Sequence, residues 1–183
     1  DTWTLNPQAN FSRAGGKNAW KVGLVEHNLL GMGKSISVFD TQGPTNRTQS
    51  LHYRDPQFLG QHLIFNGNIV REPGTKQYGA SLSRPFYSTI SKYSAGVSGN
   101  HDERDLSLYV GGGAVGEYHR THDDSSMSVG RAFGSSPSLT RQFSLQFKHT
   151  RNTFMPVSGT TSGLLPLDNR ANVIGASASI QSI

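Results

Sequence analysis

The side chains best suited to chemistry gather in two short runs, His101-Asp102-Glu103 and His119-Arg120-Thr121-His122-Asp123-Asp124. Imidazoles and carboxylates bind metals and carry protons, so the second run offers two His and two Asp to a cation. Adjacent residues do not converge on one centre by themselves, and no further ligands stand at a zinc-motif spacing. Both runs therefore read as solvated turns. No Ser lies in a G-x-S-x-G elbow, and the glycines at 111–116 lack the Lys and following helix of a phosphate-binding loop. Zero Cys excludes disulfides, thiol nucleophiles and Cys-ligated metal. The expectation is a protein that is not an enzyme and holds no metal or cofactor.

The remaining conspicuous polar residues sit at strand ends, where architecture explains them. Asp55 before Pro56 can accept from nearby backbone N–H groups while the proline stops the ladder. Glu26 and Asn28 precede Leu30-Gly31-Met32-Gly33, whose glycines supply the positive φ values of a tight hairpin. Before it, Trp20, Val22 and Leu24 alternate with Lys21, Gly23 and His27, Val25 being the exception. That period of two marks a strand with one apolar face.

The same texture recurs along the chain. Residues 2–13 carry Trp3, Leu5, Ala9 and Phe11 around Pro7, which cannot donate to a ladder and so predicts an edge or seam strand. Strands are expected at 35–41, 48–55, 61–71, 77–84 and 91–99, with a charged turn at 101–105 and alternation again from Leu106 to Val110. Residues 114–138 predict strands around a polar loop at 121–126. Then come a strand at 139–150, a long loop at 151–170 and a last strand at 173–183. This is an all-β reading: an antiparallel up-and-down meander of roughly ten strands in a single domain over 1–183.

Hydrophobic residues make up only 34% and charged residues 16%, leaving a composition rich in Gly, Ser, Thr, Asn and Gln. A sheet with one greasy face and one wet, uncharged face has that balance. The net charge of +5 invites a nucleic-acid partner, but no two of the 17 Lys and Arg are adjacent. Nucleic-acid binders cluster them with stacking aromatics, so none is expected. No run of ~18 apolar residues is present, yet a barrel strand crosses a bilayer with ~10 alternating ones.

Three motifs carry a family resemblance. Glu26-His27-Asn28-Leu29-Leu30-Gly31-Met32-Gly33-Lys34 resembles the E-x-N-hydrophobic-x-G-x-G hairpin of the bacterial surface antigen superfamily. That superfamily includes the outer-membrane subunit of the barrel-assembly machinery. Tyr53-Arg54-Asp55-Pro56-Gln57-Phe58 is similar to its Y-x-D-P-x-F segment, and Ser81-Leu82-Ser83-Arg84-Pro85-Phe86 to its next strand end. Order and spacing agree from residue 2 to about residue 100. The resemblance implies a sixteen-stranded transmembrane β-barrel in the outer membrane of a Gram-negative-type envelope. This chain would be its N-terminal part, since it lacks the later V-R-G-[FY] signature and the preceding polypeptide-transport-associated domains. It further implies that Trp3, Leu5, Pro7, Ala9 and Phe11 form a weakly closed gate strand.

The function expected on this basis is insertion or translocation of proteins at the outer membrane, with lipid and a client polypeptide as partners. A soluble β-sandwich binding carbohydrate or protein is a second expectation, and the barrel anchor of a secreted patatin-like lipase a third. The dry face separates them. A barrel turns Trp20, Val22, Leu24, Tyr78, Leu82, Phe143, Leu145 and Phe147 outward to lipid, with Trp3, Trp20 and the tyrosines as an interfacial girdle. A sandwich interlocks them inside.

Overall fold

The computed structural model describes residues 4–14, 16–87, 91–136, 139–157 and 165–182. Ten strands follow one another: β1 (Asn6–Ala14), β2 (Lys17–Leu29), β3 (Lys34–Gln42), β4 (Arg47–Asp55), β5 (Ile64–Glu72), β6 (Thr75–Arg84), β7 (Tyr93–Val110), β8 (Gly113–Ser136), β9 (Leu139–Pro156) and β10 (Asn169–Ser182). They form one sheet in sequence order, every pair antiparallel. The up-and-down meander is therefore as expected, and no second sheet faces it among the described residues. The β1–β2, β3–β4, β5–β6, β7–β8 and β9–β10 turns lie at one end, termed upper; the others lie at the lower end.

Four strands run further than the sequence pattern predicts. Residues 101–105 are not a turn but the middle of β7, and residues 121–126 are not a loop but the middle of β8. β9 runs on to Pro156 and β10 starts at Asn169, so the long loop shrinks from both sides. The ladder of β6 with β7 ends at Thr75–Arg104, while β7 continues to Val110 against β8. A three-stranded arm thus projects past the upper end. Polar pairs hold its wet base: across strands His101 with Asp123 at 2.6 Å, Asp102 with Arg120 at 3.0 Å and His122 with Asn152 at 2.7 Å, and within β7 Asp102 with Arg104 at 2.9 Å.

Cross-strand register assigns every side chain to a face, because directly paired residues point the same way. One face carries Ala9, Val22, Val38, Leu51, Ile69, Tyr78, Val97, Met127, Phe147 and Ile174. The other carries Gln8, Ser37, His52, Asn68, Ser81, Ser98, Ser126, Ser144 and Ser177. Hydroxyls and amides on that face bond across strands, as in Ser98–Ser126 at 2.8 Å, Asn66–Ser81 at 3.2 Å and Ser144–Ser177 at 2.7 Å.

Curvature puts the polar face inside. On β6, Gln77, Gly79, Ser81 and Ser83 are half-buried while Lys76, Tyr78 and Ala80 are exposed. On β8, Ser126, Ser128 and Gly130 are half-buried while Met127 and Val129 are exposed. The concave side is the wet one. Val25 is the one buried apolar residue among those described. A water-soluble chain of this length hides a core; this one hides almost none.

The apolar band is also inclined to the strands. Following the pairs from Val22 leads through Asp40, Gln49, Arg71, Lys76, Glu103 and Thr121 to Thr153. On β9, however, the band is centred on Leu145, between Phe143 and Phe147. It has moved about eight residues over about seven strand steps, which at ~3.3 Å rise and ~4.8 Å spacing inclines it about 40° to the cross-strand rows, the strands leaning by the same angle from its normal. Arg141 and His149 bound it on β9, giving it a height of roughly 20 Å.

Candidate functional site

The three sequence motifs converge at the lower end, on β2 to β6. β2 bulges between Glu26 and Leu29, and Leu30, Gly31 and Gly33 adopt φ values of 56°, 72° and 66°. Asn28 closes the turn: its carbonyl oxygen accepts from Gly31 N at 2.8 Å and its Oδ1 from Gly33 N at 2.7 Å. Leu30 occupies a left-handed position without being glycine, a local strain held by these bonds.

Glu26 is buried, at 2% exposure, and acts as a clamp. Its Oε1 accepts from Asn28 N at 2.8 Å, from Thr4 N at 3.1 Å and from Thr4 Oγ1 at 2.7 Å. Oε2 is buried with no hydrogen-bond partner among the described residues. Thr4 lies just before β1, beyond the last ladder pair of Asn6 with Val25. One carboxylate thus fixes both the hairpin and the lower end of the first strand.

Asp55 is equally buried, at 2% exposure. Its Oδ1 accepts from Gln57 N at 3.0 Å, and its Oδ2 pairs with Lys34 Nζ at 3.2 Å. Pro56 ends the ladder, and Phe58 N donates to Leu63 O at 2.8 Å in the 3-10 turn Phe58–Gly60. Phe58 and Tyr53 both meet Phe65, with centroids 5.2 Å and 6.1 Å apart. Tyr53 shares a cross-strand row with Ile36 and Glu26. In the third motif, Ser81 accepts from Asn66, and Arg84 lies over the Tyr87 ring at 5.6 Å.

These roles match the architectural expectation for Glu26, Asn28, Asp55 and Pro56. Lys34 is the participant that linear reasoning missed: it stood in the hairpin run with no role, and only the β3–β4 register brings it to Asp55. The candidate metal ligands do not converge. His119 and Asp123 point to the convex face, His122 and Asp124 to the concave one, and no metal-holding cluster occurs among the described residues.

β1 is the edge strand that Pro7 predicts, with Pro7 opposite Leu24, Ala9 opposite Val22 and Phe11 opposite Trp20. Leu5 and Phe11 are exposed. Trp3 lies outside the described residues. Trp20 stands at the upper border of the band, and Tyr93 and Phe133 flank the Arg131 guanidinium at its lower border.

No family model matches the chain, and no curated protein matches it. Among solved structures it is similar to the crystal structure of BamA from Haemophilus ducreyi lacking POTRA domains 1-3. The identity is 15% and the TM-score 0.35, over 86% of this chain and 42% of that one. The chain thus spans less than half the length of that structure.

Proposed function

We propose that this chain is part of a transmembrane β-barrel of an outer membrane and takes part in inserting or translocating proteins there. The observation that carries the reading is the apolar band: on the convex face, about 20 Å high and inclined about 40° to the cross-strand rows, so that the strands lean about 40° from its normal. Strands of outer-membrane barrels tilt ~35–45° and present an apolar band ~25 Å tall to lipid. A bilayer supplies the apolar medium that the sheet itself does not, since strands crossing it must satisfy their backbone by pairing with one another. The concave face, lined by Ser, Asn, Gln and paired charges, would border water.

Handling of a client polypeptide rests on β1. Its outer ladder edge has no partner strand among the described residues, Pro7 weakens it as a template for permanent closure, and the Glu26 clamp holds its lower end to the hairpin. Such an edge can pair transiently with an incoming strand. No catalytic group is needed. The test is whether the purified chain requires detergent to remain monomeric while giving a β-type circular dichroism spectrum. A detergent-free, cooperatively folding monomer would refute the membrane reading.

A further inference from the structure

The convex face is not uniformly covered. Gly67, Ala80, Gly99 and Ser125 are directly paired in one row across β5 to β8 and floor a groove of about 640 Å³. Leu51, Phe65, Ile69 and Tyr78 form its apolar walls, and His101 and His149 stand at its far end. Because the band is inclined, this row starts near mid-band at Gly67 and climbs to the polar upper border at Ser125.

The two glycines are not there for want of room. A Cβ at Gly99 would meet nothing nearer than 4.0 Å, and one at Gly67 only the Phe65 ring at 3.5 Å. Glycines of the concave face differ: a Cβ at Gly23 would overlap the Phe39 ring, and one at Gly79 the Asn100 side chain. Packing dictates glycine at these two concave positions. On the convex face, glycine keeps a groove open.

Beyond the polar end of the groove, Arg151 and Arg170 are direct cross-strand partners on the same face. Like charges placed opposite one another destabilise a sheet unless an anion lies between them. Neither arginine has a hydrogen-bond or ion-pair partner among the described residues. Asp123, the cross-strand partner of Arg151 on β8, is engaged by His101 Nδ1 at 2.6 Å.

We propose that this is a lipid site. One acyl chain lies over Gly67, Ala80 and Gly99, and the phosphate of the same lipid sits against Arg151 and Arg170. Arginine is suited to this, its planar fork matching phosphate oxygens in pairs. The inference rests on the membrane reading above, and its occupant is a phosphorylated lipid with net negative charge.

The test is native mass spectrometry of the full chain in nonionic micelles, titrated with phosphatidylglycerol, phosphatidylcholine or inorganic phosphate. The expected result is one phosphatidylglycerol held at least ~10-fold more tightly than phosphatidylcholine, with no retention of phosphate alone. Arg151→Gln with Arg170→Gln should remove that preference, roughly five-fold per arginine, the effect of one basic group at an anionic surface. Gly99→Leu should weaken both lipids while leaving the circular dichroism spectrum unchanged. Equal retention of the two lipids, variants without effect, or phosphate held as well as lipid would overturn the site. A chain that never enters micelles would instead overturn the membrane reading itself.

Discussion

Lys34 Nζ lies 3.2 Å from Asp55 Oδ2, joining the end of one sequence motif to the end of another across β3 and β4. The Asp55 side chain is almost entirely buried and Lys34 about one quarter exposed. Gln57 N occupies the other carboxylate oxygen. The pair therefore couples the hairpin to the strand-end turn that carries Phe58.

Removing one partner of a buried pair leaves the other charge uncompensated, which costs about 3–5 kcal/mol when both are buried. With Lys34 partly in water, Lys34→Ala should cost about 2 kcal/mol, below that range. Asp55→Asn should cost less than Asp55→Ala, because the amide oxygen still accepts from Gln57 N. Equilibrium unfolding in micelles reads both, and equal losses would contradict the assignment of Oδ1.

The clamp at Glu26 predicts a local pattern rather than a global one. Glu26→Ala should speed hydrogen exchange at the Thr4 and Asn28 amides and leave Gly33, which Asn28 Oδ1 holds, protected. Asn28→Ala should do the reverse at Gly33. Unchanged exchange at Thr4 in the first variant would show that β1 is fixed by its ladder alone.

Glycines on the two faces should respond oppositely. Gly23→Ala drives a Cβ into the Phe39 ring, over which Lys21 Nζ sits 4.0 Å from the centroid. Overpacking of this kind costs about 1–3 kcal/mol. Gly99→Ala, facing open space, should be within about 0.5 kcal/mol of the parent. Thermal unfolding of the two variants side by side checks this.

Much of this architecture was legible in the sequence, for a specific reason. Wherever one face is apolar and the other wet, as in Phe143-Ser144-Leu145-Gln146-Phe147, alternation alone gives strand and face. Alternation is silent where both faces are polar. Residues 101–105 and 121–126 look like loop because no apolar residue marks their period, yet they are strand, held by His101–Asp123, Asp102–Arg120 and Thr150–Asp124 bonds. Those pairs join strands about twenty to thirty residues apart, which local pattern cannot see. Lys34 was hidden for the same cause. Pro7, by contrast, was readable because a missing donor excludes a central strand wherever its partners lie.

Orientation is open to direct challenge. Leu24→Arg and Phe143→Arg place a charge on the convex face, where lipid exposure costs ~2–4 kcal/mol near the midplane. Both should block bilayer insertion. His52→Arg, on the concave face and exposed, should insert like the parent. Insertion into vesicles, read by protease protection, compares them; a blocked His52 variant beside an inserting Leu24 variant would reverse the faces.

The most direct measurement uses the absence of cysteine, which lets single thiols be introduced anywhere for spin labelling. Labels at Val22, Leu145 and Thr153 should be compared for depth in a bilayer. The inclined band requires Val22 and Leu145 at one depth, in lipid. Thr153, which shares the ladder row of Val22, should lie outside in water, roughly 20 Å higher. Val22 and Thr153 at equal depth, or all three in water, would contradict the account.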